Sequence, residues 1–328
     1  AGYDIDGLWI TGIERKITSL RNLSFPFKLI SSLLKAGRLI RSYKPQVVIG
    51  VGGFASGPVL FRASRRGIPT LIQEQNSFPG ITNRILAGKV DKVCAGFPGL
   101  SRWFPSDKIV ETGNPLRDGV LKLLSEKVGD GAAHFGLGSE KPLVFIMGGS
   151  LGAASMNSAV KKIVEDFVAE GSAPYSILWQ SGDRYHSECS AWLEKLVSTN
   201  PWLGDSVKCL GFVDRMDLAY SASDLIASRA GAMSISELSL VSKPTILIPS
   251  PHVAEDHQTK NALSLVDRDA AIMVSDTDVV SKLGSAINST LGSSDKTSAM
   301  CKALRSCAMP EACTTIVDEI ESLLNSRP

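Results

Sequence analysis

Three glycine turns carry residues able to bind an anion. In the first, GGSLGAAS, Gly148, Gly149 and Ser150 end the apolar run PLVFIMG and precede a helical stretch. Glycines there admit positive φ and let the backbone approach a ligand closely. Ser150 adds a hydroxyl, and the helix turns its free N–H groups and positive dipole end back at the turn. The second, SRAGAMSISE (228–237), follows the apolar run DLIAS. The N–H groups of Ala232 to Ser234 and the Ser234 hydroxyl can hold a phosphate, and Glu237, one turn further in, can bind two vicinal ribose hydroxyls. Its structural alternative is a helix-start acid favoured by the dipole. The third, VGVGGFASGP (49–58), is expected to open a helix near Ser56 or Pro58, for tight packing or for ligand contact. Neither nucleotide fingerprint is met. Met147 stands where the first glycine of GxGxxG would fall, and no Gly-Lys-Ser/Thr follows for a Walker loop, which ranks a nicotinamide dehydrogenase last.

The elements that must position these turns recur along the chain. QVVIGV, PTLIQEQ, DKVCAGF and KIVETGN read as strands, and after residue 142 the series restarts with PLVFIMG, SILWQSG, VKCLGFV, DLIAS, PTILIPS and AAIMVS, with helical segments between. Strands alternating with helices mean βαβ units and parallel sheets. With 328 residues, two such series imply two doubly wound α/β domains, joined near 117–141, a stretch rich in Gly and charge. The tail EACTTIVDEIESLLN reads as one helix. Ligands of open α/β sheets sit outside the carboxyl ends of the strands, so the turns are expected to face one cleft holding a diphosphate and a second anion.

Composition narrows the class. The chain is 44% hydrophobic and 21% charged, as ordinary globular proteins are. No 18-residue apolar run argues for a membrane span, and AGYDIDGLWITG has no signal-peptide pattern. Cys94, Cys189, Cys209, Cys301, Cys307 and Cys313 form no CxxC pair and, with four scattered histidines, no zinc spacing. They read as reduced structural thiols of a cytoplasmic protein. Three DxD triplets, Asp4/Asp6, Asp267/Asp269 and Asp276/Asp278, read as solvated surface, so neither a metal nor a cofactor is expected.

The net charge of +2 is unevenly spread. Residues 15–73 hold eleven Lys or Arg and no acid, and residues 1–120 hold 17 basic against 8 acidic residues. The segment 24–44 reads as a helix with Phe27, Ile30, Leu33 and Leu34 on one side and Lys28, Lys35, Arg38, Arg41 and Lys44 supplying charge. Such a helix suits an anionic membrane surface, at roughly 1 kcal/mol per basic residue near it. The alternative is a core-packing helix with a basic wet face. Few aromatics and no binding motif argue against nucleic acid.

The ordered series YKPQVVIGVGGFASGP, IQEQNSFPGITNRILA, ETGNPLR, MGGSLGAASMN, WQSG, GFVDRM, SRAGAMSISE and EDHQTKNA resembles the MurG family of bacterial peptidoglycan glycosyltransferases along nearly the whole chain. That family moves N-acetylglucosamine from UDP-N-acetylglucosamine onto undecaprenyl-diphosphoryl-N-acetylmuramyl-pentapeptide, lipid I to lipid II, with inversion and at the cytoplasmic face of the inner membrane. The resemblance implies a GT-B fold of two Rossmann-like domains. Here these are an acceptor- and membrane-facing domain over 1–116 and a UDP-sugar-binding domain over 117–310. The helix at about 311–328 returns to the first. By the same resemblance Glu237 binds ribose, Val213 meets uracil through its backbone, and Ser150, Met233 and Ser234 surround the diphosphate, with Arg117 at the cleft. Gln258 and Asn76 hold the sugar hydroxyls. Gly52, Gly53 and Ser56 fall to the acceptor, and Phe27, Lys28, Lys35 and Arg38 to the membrane.

Two departures matter. Gln73 stands where the family motif His-Glu-Gln-Asn begins. The family's opening glycine loop with its His has no counterpart, and the first domain starts abruptly at YDIDGLWI. The chain is therefore expected to begin after a first strand–helix–strand unit. That His is one candidate for the general base; Glu74, Asp183 and His257 are the others. A UDP-N-acetylglucosamine 2-epimerase and a non-catalytic sugar-nucleotide-binding protein are the competing functions.

Overall fold

The computed structural model describes residues 2–12, 23–125 and 129–325, which divide into two compact units. The first comprises Ala1–Asn114 with Glu311–Pro328, the second Pro115–Pro310.

The first unit runs α1 (Phe25–Tyr43), β1 (Val48–Gly50), α2 (Gly53–Ser64), β2 (Thr70–Glu74), α3 (Ile81–Leu86), β3 (Lys92–Ala95) and β4 (Ile109–Glu111). The strands form one parallel sheet in the order β1-β2-β3-β4. All of β2 is buried, as a strand covered on both faces must be. Because side chains alternate, Ile72 and Val93 enter a core with Ile40, Leu60 and Phe104, while Leu71 and Cys94 point the other way, against Ile316, Ile320 and Leu323 of the C-terminal helix. Lys92 Nζ lies 3.1 Å from a Glu319 carboxylate oxygen and ties that helix to β3.

The α1 helix reverses one of the sequence expectations. Its buried positions are Ser32, Ala36, Gly37 and Ile40, not the larger apolar residues. A Cβ at Gly37 would lie 2.9 Å from the Arg62 guanidinium, and Arg66 Nη1 donates to the Gly37 carbonyl at 2.9 Å. Small residues thus let α1 approach α2, and Phe27 (71% exposed), Ile30 and Leu34 face outward. The core-packing reading of this stripe is therefore incorrect. Residues 2–12 lie along the same helix. Ser32 Oγ donates to the Trp9 carbonyl at 2.9 Å, Lys28 Nζ to Thr11 Oγ1 at 3.2 Å, and Tyr43 Oη to Asp6 at 3.0 Å. Lys44 in the left-handed region, followed by Pro45, ends α1.

The α2 helix starts at Gly53, earlier than Ser56 or Pro58. Gly52 (φ 90°) and Gly53 (φ 76°) make the turn, Ser56 Oγ donates to the Gly53 carbonyl at 2.9 Å, and Pro58 sits inside the helix. At this interior position its ring forgoes a backbone hydrogen bond that another residue would donate.

The second unit holds α4 (Asp118–Leu121), α5 (Gly131–His134), β5 (Leu143–Met147), α6 (Ala154–Glu170), β6 (Ser176–Gln180), α7 (Asp183–Thr199), β7 (Val207–Leu210), α8 (Met216–Ala222), β8 (Leu225–Ser228), α9 (Ala232–Val241), β9 (Thr245–Leu247), α10 (His257–Val266), β10 (Ile272–Met273), α11 (Val279–Leu291) and α12 (Ser294–Ser306). The C-terminal helix of the first unit is α13 (Ala312–Asn325). The six strands are parallel, in the order β10-β9-β8-β5-β6-β7. Strand order therefore reverses between β5 and β8, which is where such sheets open a crevice for ligands. One face carries Val160, Ile163, Phe167, Ile177 and Trp179, with the Phe167 and Tyr175 rings edge to face at 5.1 Å. Buried Trp179 donates to Asn157 Oδ1 at 2.9 Å, and Asn157 Nδ2 donates to the Ser181 carbonyl at 3.0 Å, so the polar atoms of this core are satisfied.

All six cysteines are free thiols, and burial pushes Cys94 and Cys209 up to about 11, far from thiolate reactivity. Among the described residues no helix is long and apolar enough to cross a membrane, and no three His, Cys, Asp or Glu side chains cluster as metal ligands.

Candidate active site

A cavity of about 790 Å³ opens at the β5/β8 switch point of the second unit. The ends of β5 and β6 build one wall. Gly149 takes φ 83° and Gly152 φ 72°, and the Gly152 N–H closes on the Gly149 carbonyl at 3.0 Å. A Cβ at Gly152 would lie 2.2 Å from the Ser181 carbonyl, and one at Gly182 2.3 Å from the Gly152 backbone. The two loops thus interlock with no room for a side chain. Ser150 is carried on this turn, in front of α6, whose N-cap Ala153 offers no side-chain acceptor to the first-turn N–H groups. The α9 helix likewise starts at Gly231 without a side-chain cap. Two uncapped helix N-termini bordering one cavity are a site for a multiply charged anion.

Ser150, Ser234, Glu237, Arg117, Val213 and Gln258 line this one cavity. Glu237 is 5% exposed. Its Oε2 accepts from Tyr220 Oη at 2.8 Å, and its Oε1 lies 3.6 Å from Arg117 Nε. Burial raises the Glu237 pKa, opposed by the Tyr220 hydrogen bond and the Arg117 charge. The Tyr220 hydroxyl is raised well above its ordinary value, first by burial and then by Glu237, so it is the donor in this pair. Arg117 is 67% exposed at its side chain, and an ion pair so wetted holds little energy by itself. Gln258 Oε1 accepts from the Ser250 N–H at 2.8 Å, so its NH2 group is the part of the side chain left to donate. Among the described residues no hydrogen bond takes the Val213 N–H or carbonyl.

The remaining sequence candidates lie elsewhere. Met233 is 40% exposed on the first turn of α9 and outside the cavity lining. Asp183 is the exposed first residue of α7, where the helix dipole favours an acid, and it too is outside the lining. His257 opens α10 and is not in the lining, whereas His252 is. Glu74 and Asn76 belong to the first unit. Glu74 is buried, and its two oxygens accept from the Asn76 N–H (3.0 Å), the Gly80 N–H (3.2 Å) and Asn83 Nδ2 (2.7 Å). That carboxylate fixes the loop after β2 and with it Asn76. Gln73, at the motif's His position, donates to Asn114 Oδ1 at 2.8 Å, and Asn114 donates to the Gln75 carbonyl at 3.0 Å.

The structure adds residues that sequence reasoning missed. Arg229 donates to Asp276 Oδ1 (2.6 Å), Ser155 Oγ (3.0 Å) and the Ile248 carbonyl (3.1 Å), binding the ends of β8 and β9, the start of α6 and the loop after β10 into one wall. Asp276 is thus no surface acid, contrary to the reading of its triplet: its side chain is 18% exposed and paired. Tyr220 and half-exposed Phe212 complete the lining. An Arg directly after a strand was the available signal; its partner lies 47 residues away, and no local pattern joins them.

The C-terminal domain of glycosyltransferase family 28 matches residues 143–315, and the family's N-terminal domain matches residues 1–95. UDP-N-acetylglucosamine–N-acetylmuramyl-(pentapeptide) pyrophosphoryl-undecaprenol N-acetylglucosamine transferase of Flavobacterium psychrophilum is 43% identical over 327 residues, covering 100% of this chain and 85% of the relative. The enzyme of the same description from Christiangramia forsetii is 42% identical over 327 residues, with the same coverage. Among solved structures, MurG of Acinetobacter baumannii superposes with a TM-score of 0.71 at 28% identity, over 90% of this chain and 80% of that one. A UDP-GlcNAc 2-epimerase from Neisseria meningitidis shares the fold alone, at 14% identity, a TM-score of 0.63, and coverage of 94% and 84%. The fold is GT-B and the chain is a glycosyltransferase. Matched by both domains of the family and over its whole length by these relatives, the chain belongs to glycosyltransferase family 28, among the UDP-N-acetylglucosamine–N-acetylmuramyl-(pentapeptide) pyrophosphoryl-undecaprenol N-acetylglucosamine transferases.

Proposed function

We propose that this enzyme transfers N-acetylglucosamine from UDP-N-acetylglucosamine to undecaprenyl-diphosphoryl-N-acetylmuramyl-pentapeptide at an anionic membrane surface, as the printed names of its relatives imply for the sugar and the acceptor. The observation that carries the donor half is the gathering of Ser150, Ser234, Glu237, Arg117, Val213 and Gln258 on one cavity at the strand-order reversal. In this reading Glu237 accepts from the ribose hydroxyls, the Val213 peptide groups pair with uracil, and the Phe212 ring covers the base. Ser150, Ser234 and the two helix N-termini hold the diphosphate. Gln258 orients the sugar through its NH2 group.

The acceptor hydroxyl attacks the anomeric carbon as the bond from that carbon to the β-phosphate oxygen breaks, and the hydroxyl proton passes to a general base. Negative charge grows on the leaving diphosphate. Donors fixed before the reaction stabilise that charge without reorganising, and Arg117 adds a mobile positive charge. The sugar flattens toward an oxocarbenium ion, so its orientation decides the rate. Gly52, Gly53 and Ser56, at the start of α2, fall to the acceptor. Phe27, Lys28, Lys35 and Arg38 on α1 fall to the membrane, an assignment supported by the outward apolar stripe beside basic side chains.

The test is UDP release with and without a lipid I analogue. Release that depends on the analogue, with formation of the disaccharide lipid, supports transfer. UDP binding with isotope exchange at C2 and no transfer supports an epimerase instead, and binding with no turnover a sugar-nucleotide-binding protein.

A further inference from the structure

Tyr220 is wholly buried on α8, with its ring edge-on to Phe145 at 6.0 Å. Its hydroxyl donates to Glu237 Oε2 at 2.8 Å, and its other polar neighbour among the described residues is Met147 Sδ at 3.9 Å, a weak acceptor. The packed ring therefore delivers one O–H to one carboxylate oxygen in a fixed direction. The other oxygen is turned to Arg117, which is itself exposed and able to move aside. A carboxylate that accepts from two vicinal hydroxyls at once needs both oxygens held in one plane.

Resting on the reading of this cavity as the donor site, we propose that Tyr220 is the positioning residue for Glu237, pinning the carboxylate so that it accepts from a ribose diol and discriminates ribonucleoside from 2′-deoxyribonucleoside diphosphates. A pinned, buried carboxylate cannot turn to find another partner when one hydroxyl is missing, so the deoxy ligand leaves an acceptor unsatisfied. A carboxylate freed from Tyr220 rotates and relaxes, and the penalty falls. The charged and titratable groups facing Glu237 are Tyr220 from α8 and Arg117 from the segment before α4; Arg229, in the same cavity, is engaged by Asp276 and Ser155. Loss of the Tyr220 hydroxyl removes an interaction that favours ionised Glu237, so the acid limb of donor binding moves to higher pH.

The experiment compares the wild-type chain, Tyr220→Phe, Glu237→Gln and the double variant. It uses calorimetry with UDP and 2′-deoxy-UDP from about pH 5.5 to 8, and steady-state kinetics with a lipid I analogue. For Tyr220→Phe the donor KM is expected to rise about tenfold with kcat within about twofold. Its preference for UDP over 2′-deoxy-UDP should shrink and its acid limb shift upward. In the Glu237→Gln background the same change should do nothing further, because the carboxylate it positions is gone. Should Tyr220→Phe fold poorly, Tyr220→Leu, which also removes the hydroxyl from the buried site, takes its place and must show the same reduced ribose preference. An unchanged preference in Tyr220→Phe, or a loss of kcat at constant KM, overturns the proposal. A wild-type protein that binds UDP and prefers ribose while Tyr220→Phe does the same sinks this role alone. Wild-type protein with no UDP binding sinks the donor-site reading with it.

Discussion

Glu237 is a carboxylate held in a place that favours its neutral form, because burial raises its pKa more than Tyr220 and Arg117 lower it. The linkage sign follows. Below the ordinary carboxylate range the group is protonated in both folded and unfolded chains and costs nothing. As pH rises, the unfolded chain releases its proton first, so folding stability falls until the folded group also ionises, and the deficit then stays constant. Glu237→Gln keeps the shape and an acceptor for Tyr220 but cannot ionise. Without nucleotide it is expected to melt at or above the wild-type temperature at pH 8, with the advantage disappearing only as pH falls below the ordinary glutamate value of about 4.3. Thermal unfolding across that range checks this, and a variant less stable than wild type at pH 8 contradicts the burial cost. UDP should raise the melting temperature of wild type, and raise that of the variant by less. At this scale the sequence exposes what a short motif carries: Ser150, Ser234 and Glu237 each follow a glycine after an apolar run. Tyr220, Arg229 and Asp276 are ordinary residue types whose partners lie 17 and 47 residues away, and only the folded sheet brings them together.

The strand–glycine–helix turn tests what its glycines are for. Gly149 and Gly152 both have positive φ, yet space is open around Gly149, whereas a Cβ at Gly152 would meet the Ser181 carbonyl at 2.2 Å. Gly149→Ala bears only left-handed strain, about 1–2 kcal/mol. Gly152→Ala adds a collision with backbone, which cannot rotate away, and is expected to cost more than about 3 kcal/mol and to abolish UDP binding. Chemical denaturation of the two variants decides, and equal costs would mean that the interlocked loops yield. Strands were legible element by element, because short β-branched runs ended by glycine have few other readings. The orientation of α1 was not. Periodicity finds an apolar stripe but does not say whether core or solvent receives it, and here Ser32, Ala36, Gly37 and Ile40 take the inside, with Gly37 lying close to the Arg62 guanidinium of α2.

Over the whole molecule, charge and hydrophobicity are both displaced toward the first unit. Seventeen basic residues face eight acids within residues 1–120, and the exposed large apolar residues there include Leu23, just before α1, and Phe27, Ile30 and Leu34 along it. An apolar stripe of that length on an exposed surface is unusual without a partner, and the basic side chains beside it suit the anionic bilayer proposed above. The two contributions separate by experiment. Attraction to anionic lipid gains roughly 1 kcal/mol per basic residue near the surface and is screened by salt, whereas insertion of an apolar side chain gains up to about 1.5–3 kcal/mol and is not. The chain should therefore sediment with vesicles containing phosphatidylglycerol and leave them in high salt, and bind neutral phosphatidylcholine weakly. Phe27→Ser with Ile30→Ser, which leaves the charge unchanged, should weaken sedimentation by at least about tenfold at every salt concentration at which wild type still binds. Because both side chains are exposed, its melting temperature and its affinity for UDP should stay at the wild-type values. Arg38→Glu with Arg41→Glu should lower binding chiefly at low salt. Equal binding to neutral and anionic vesicles would remove the electrostatic half of this reading. Undiminished binding by the serine pair would remove the insertion half, and α1 would then be an exposed helix with some other occupant.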